Sequence, residues 1–157
     1  MEEYILSQQA FDRLWARVRG ETPPEPPRRD EIAVLLSFLE DTAQSLLLEQ
    51  RLCSLPGVGG LWRDTRSRLA RLETAYYLLT AERFRLPQVC PLRERLLPAL
   101  RRDCLAALAR SERYDAERER TPDPALSALY TALAGEEQRH AEALKRLIAA
   151  ILCGEKK

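Results

Sequence analysis

"TPDPALSALYTALAGEEQRHAEALKRLIAAILC", residues 121–153, decides the fold. Its opening predicts a helix start, because Asp123 can accept backbone N–H groups as N-cap and Pro124 suits the first helical position. Beyond it, Leu126, Leu133, His140 and Leu147 recur every seven residues, as do Tyr130, Glu137, Leu144 and Ile151. Two interleaved sevenfold series make one core-facing seam, the signature of a long helix packed in a bundle. Glu136, Arg139, Glu142 and Lys145 project away from that seam. Glu137 and His140 lie on it and therefore point inward. Burying a carboxylate and an imidazole costs several kcal/mol unless each finds a partner, so the rest of the chain must supply compensation.

Working outward, the 157 residues suit one domain with a core that needs no disulfide or structural metal. Hydrophobic residues make up 45% of the chain, Leu, Ala, Arg and Glu dominate, and Gly and β-branched residues are scarce, so the predicted class is all-α with no strands. Three further long helices are expected at about 30–53, 61–84 and 98–120. The first two are joined by the turn "SLPGVGG", the last two by "TPDP". Pro87, Pro91 and Pro98 interrupt the stretch between the second and third helices, which predicts an extended connection with at most a short helix, "LRERLL". Extended at about 3.3 Å per residue, that segment can cross the length of the bundle, and the short links make helices one and two, and three and four, antiparallel neighbours.

The expected domain plan is an amphipathic helix over residues 1–20, a proline-rich linker over 21–29, the four-helix bundle over 30–153 and a short tail over 154–157. Tyr4, Ile5, Phe11, Leu14, Trp15 and Val18 give the first segment an apolar face, which packs on its own bundle or joins two copies into a homo-oligomer, such as a dimer. The formal net charge is +1 with acids and bases interspersed, so neither nucleic acid nor a membrane surface is an expected partner. "RDTRSRLAR" and "LRRDCLAALARSER" read as solvated faces. The start of the chain does not read as a signal peptide and no stretch has membrane-spanning length, which predicts a cytoplasmic protein.

Cys53, Cys90, Cys104 and Cys153 never form Cys-x-x-Cys, so local pairs cannot build a zinc ribbon; reduced structural thiols are expected, with Cys104 on an inner stripe. Tyr76, Tyr77, Tyr114 and Tyr130 read as core residues with satisfied hydroxyls.

Glu137 and His140 form a Glu-x-x-His pair whose side chains can reach one ion from one helical face. Together with "FLEDTAQSLLLEQRL", "ARLETAYYLLTAERF" and "RSERYDAERERTPDPALSALYTALAGEEQRHAEAL", the layout from about Asp30 to Leu147 resembles the ferritin-like superfamily, and within it the rubrerythrin-like proteins. The resemblance implies a four-helix bundle with a crossover between helices two and three. In functional members it also implies a di-iron site for peroxide reduction or ferrous iron oxidation. That site takes a glutamate on helices one and three and Glu-x-x-His on helices two and four. Aligned without gaps, the other ligand positions fall at Thr42, at Thr65 and Arg68, and at Ala107, which leaves Glu137 and His140 as residual metal ligands.

Two readings follow. In the first, the di-metal site has degenerated, no cofactor is bound, and the chain is a non-catalytic bundle or partner-binding protein. Arg68 then reaches Glu137 as a buried ion pair, and Tyr114 or Glu49 completes the network with His140. In the second, an iron-dependent oxidoreductase survives on Glu137 and His140 with unaligned carboxylates, Glu49, Glu73 and Glu112 being the candidates.

Overall fold

In the computed structural model, which describes Arg19, residues 29–88 and residues 94–154, four helices follow one another: α1 (Arg29–Arg51), α2 (Val58–Thr80), α3 (Leu96–Arg120) and α4 (Pro124–Gly154). No strand occurs among the described residues. The expected helix and linker over residues 1–29 lie outside them apart from Arg19 and Arg29, as do residues 155–157.

Local chemistry sets the boundaries. Asp123 Oδ1 accepts the backbone N–H groups of Ala125 at 2.8 Å and Leu126 at 3.4 Å, capping α4 ahead of Pro124. α2 starts three residues earlier than the glycines suggest. Gly57 adopts φ 89°, a turn conformation that costs glycine nothing, and Gly59 and Gly60 then fit within the first helical turn. α2 stops at Thr80 rather than Phe84, because Ala81 takes a left-handed φ of 59° and its N–H donates to Tyr77 O at 2.8 Å. α3 begins at Leu96 instead of Pro98: a proline within the first turn removes an N–H that has no intrahelical partner there. Within the expected short helix "LRERLL", Glu94 and Arg95 are not helical and Leu96 already belongs to α3.

The helices pack as two hairpins, α1 on α2 and α3 on α4. Side-chain contacts fix the remaining directions. Glu31 at the start of α1 accepts from Thr121 Oγ1 at 3.2 Å just past the end of α3, and Ser37 and Asp41, nearer the middle of α1, meet Arg113 in the second half of α3. Near the end of α1, Ser45 donates to Asp103 close to the start of α3, so α1 and α3 run antiparallel. α3 is also tied to the α4 backbone: Ser111 Oγ donates to Ala134 O at 2.9 Å, and Cys104 Sγ to Ala141 O at 3.5 Å.

Two apolar clusters form the core. One gathers Leu35, Phe38, Leu39, Leu72, Tyr114 and Tyr130, with the Phe38 and Tyr114 rings stacked at 4.0 Å. The other gathers Leu61, Leu100, Cys104, Ala107, Ala141 and Leu144. Between them lies a group of fully buried polar residues, Thr42, Ser45, Glu49, Thr65, Arg68, Asp103, Arg110, Ser111, Glu137 and His140. A core that tolerates so many polar side chains must pair them, and how it does so is the main question the fold raises.

Candidate functional site: a buried polar layer

The layer has two halves. In the first, Glu137 of α4 has no solvent exposure and is gripped by two guanidinium groups. Arg110 of α3 donates from Nε to Oε1 and from Nη2 to Oε2, both at 3.0 Å, a two-pronged hydrogen-bonded pair. Its Nη1 also donates to the Asp41 carbonyl at 3.4 Å. Arg68 of α2 brings Nε to 3.3 Å from Glu137 Oε1, a charge contact that lacks hydrogen-bond alignment, and its Nη2 donates to Thr65 Oγ1 at 2.8 Å. Burial works against the Arg110 cation, but the charge and hydrogen bonds of Glu137 outweigh it and hold its pKa above the ordinary arginine value.

The second half surrounds His140. Its Nε2 lies 2.8 Å from Glu49 Oε1 on α1 and 4.0 Å from Asp103 Oδ2 on α3. The shorter approach is within hydrogen-bond distance but off the hydrogen-bonding direction, and neither ring nitrogen has a hydrogen-bond partner. Both Glu49 oxygens and Asp103 Oδ2 likewise lack an aligned hydrogen bond, while Asp103 Oδ1 is held by the Ser45 hydroxyl. Burial pushes the Glu49 carboxyl above its ordinary value; contact with His140 opposes that rise and the Asp103 charge adds to it.

Thr42, Thr65, Arg68 and Ala107, the positions assigned to lost ligands, are all buried in or beside this layer with Glu137 and His140. Glu49 meets His140. Tyr114 instead stacks between Phe38 and Tyr130, at 4.0 and 5.8 Å, on the Glu137 side of the layer, and its hydroxyl has no aligned hydrogen-bond partner, contrary to the satisfied phenol expected. Tyr77 is half exposed and is not a core residue. Glu112 is exposed and Glu73 only partly buried, and neither joins the layer.

Three residues of the layer, Asp103, Arg110 and Ser111, belong to "LRRDCLAALARSER", and two, Thr65 and Arg68, to "RDTRSRLAR", the stretches expected to be solvated faces. All five are buried, which corrects that expectation. The missed signal was the same sevenfold count applied to α3: Leu100, Ala107 and Tyr114 form one series, and Asp103 and Arg110 fall on its partner series.

A di-iron centre does not fit these residues. Both oxygens of Glu137 are engaged by guanidinium groups, and two fixed cations occupy the space where the charge of two metal ions would need several carboxylates to balance it. Over the described residues, fold and site together define an all-α four-helix bundle with a buried, charged central layer. No protein-family model, no curated protein and no solved structure matches this chain. Among the described residues, no helix is long and apolar enough to cross a membrane.

Proposed function

We propose that this chain is a ferritin-like bundle of the rubrerythrin-like kind whose di-iron centre has been replaced by an arginine-clamped carboxylate, and that it works as a non-catalytic helical scaffold or partner-binding protein. One observation carries this reading: Glu137, the carboxylate of the Glu-x-x-His pair, is held by Arg110 and Arg68. A guanidinium supplies the positive charge a metal would have brought, but it has no accessible redox states and no open coordination position.

The helix directions support the ferritin-like part. α2 is antiparallel to α1, and α1 is antiparallel to α3, so the end of α2 and the start of α3 lie at opposite ends of the bundle. A crossover between α2 and α3 belongs to this reading. Self-association through the apolar face of residues 1–20, in the cytoplasm, belongs to the same reading.

The test is anaerobic loading of the purified chain with ferrous iron, followed by desalting, metal analysis and a peroxide-consumption assay. Fewer than two iron ions per chain and no peroxide consumption above buffer are expected. Retention of two iron ions with peroxide turnover would overturn the proposal.

A further inference from the structure

We infer that Glu49, Asp103 and His140 form a site for a single divalent transition-metal ion that takes only His140 from the Glu-x-x-His pair and is independent of the arginine clamp on Glu137. The first ground is a concentration of unpaired polar atoms. Glu49 Oε1 and Oε2, Asp103 Oδ2, and His140 Nδ1 and Nε2 all lack an aligned hydrogen bond, Glu49 making only off-angle approaches to His140 and Thr65, although the three residues are only 1%, 4% and 4% exposed. Native interiors leave few buried polar atoms unpaired, and each such atom calls for an ion, a water or a functional reason. Here three neighbouring residues carry them.

The second ground is geometry. One donor atom from each residue lies within 4.8 Å of the others. An ion about 2.1 Å from each donor holds donors up to roughly 4.2 Å apart, so the 2.8 and 4.0 Å separations from His140 Nε2 already suit a shared ion. Two donors 2.8 Å apart that do not point a hydrogen bond at each other are better explained by a common third atom. Glu49 Oε2 is free to complete the set by two-oxygen coordination. Ser45, donating to Asp103 Oδ1, fixes that carboxylate with its other oxygen toward His140.

The third ground is chemistry. Two carboxylates and a neutral imidazole balance a divalent charge and match the preferences of Zn²⁺, Co²⁺, Mn²⁺ or Fe²⁺. The imidazole disfavours Mg²⁺ and Ca²⁺, and the absence of thiolate from the donor set disfavours Cu⁺. The donors come from α1, α3 and α4, so the ion would clamp the first hairpin to the second and bind mainly to the folded state. Ligation requires both carboxylates ionised and the imidazole neutral, any further proton being released to solvent, and no step beyond ligation is involved.

The full chain, stripped with chelator and refolded with Zn²⁺ or with Co²⁺ so that the buried site need not open, tests the inference. His140 is the only histidine, so its imidazole ¹⁵N resonances report on the site without assignment. The expected results are one metal ion per chain by elemental analysis, a stoichiometric shift of the His140 nitrogens with Zn²⁺, a raised melting temperature, and a Co²⁺ spectrum without thiolate charge-transfer bands. Glu49→Gln and Asp103→Asn should each weaken Co²⁺ binding at least about tenfold while the helical circular dichroism is retained. A chain that retains neither metal would overturn the proposal. So would metal bound without moving the His140 resonances, which would put the ion elsewhere on the chain. The wild-type resonance measurement decides even if a variant fails to fold, and either outcome leaves the arginine-clamp reading standing.

Discussion

Arg110 on α3 holds Glu137 on α4 by two parallel hydrogen bonds of 3.0 Å, with both side chains almost fully buried. A buried ion pair contributes little net stability against an apolar replacement, yet removing one partner strands the other charge. Arg110→Met should therefore destabilise the chain by about 3–5 kcal/mol in urea unfolding. Arg68→Met should cost less, on the order of 3 kcal/mol, since Glu137 keeps the Arg110 pair. A ranking with Arg68→Met clearly the more damaging would show that the roles of the two arginines are reversed.

Alkaline pH should weaken the fold through Tyr114. Burial is the main cause that pushes its phenol well above the ordinary 10.0, and the nearby Glu137 charge adds to this. The folded state then keeps a proton that the unfolded state releases, so the contribution is intact below pH 10 and is lost as pH rises above it. Tyr114→Phe should flatten the decline in urea midpoint above pH 10. Parallel declines in the two proteins would assign it to other groups.

Thiol reactivity should divide by burial. Cys53 and Cys153 are exposed, whereas Cys104 is buried and burial pushes its thiol pKa up. Brief alkylation of the native chain, read by peptide mass spectrometry, should label Cys53 and Cys153 and spare Cys104 until denaturant is added. Early labelling of Cys104 would mean that the α3–α4 interface opens readily.

Asp123→Ala should cost about 1 kcal/mol in thermal unfolding, because the carboxylate serves two N–H groups at the start of α4. Asp123→Asn should recover most of that loss. Equal losses in both variants would mean that the charge, not the acceptor, matters.

Much of the fold was legible because its signals are local. Asp123–Pro124 marks a helix start by side-chain chemistry, and the sevenfold series through Leu133 and Leu144 marks the buried face of α4 without reference to any other helix. Glu137 and His140 were legible as inward-pointing for the same reason. Their partners were harder to find. Arg110 and Asp103 sit among other arginines and acids, and composition made that stretch look like surface, whereas only position along the α3 stripe distinguishes the buried members. The joining of Glu49 to His140 depends on how α1 and α3 are staggered, which is a property of the packed bundle and not of either segment alone.

The buried layer also limits how these helices can slide past one another. Leucine seams repeat, so a bundle held only by them can shift by a turn and find similar contacts again. One turn moves a side chain about 5.4 Å along the axis. That would carry Arg110 out of reach of Glu137, leaving charges unpaired in the interior. The polar residues therefore act as an alignment key: the leucines hold the helices together, and the arginine clamp admits a single stagger.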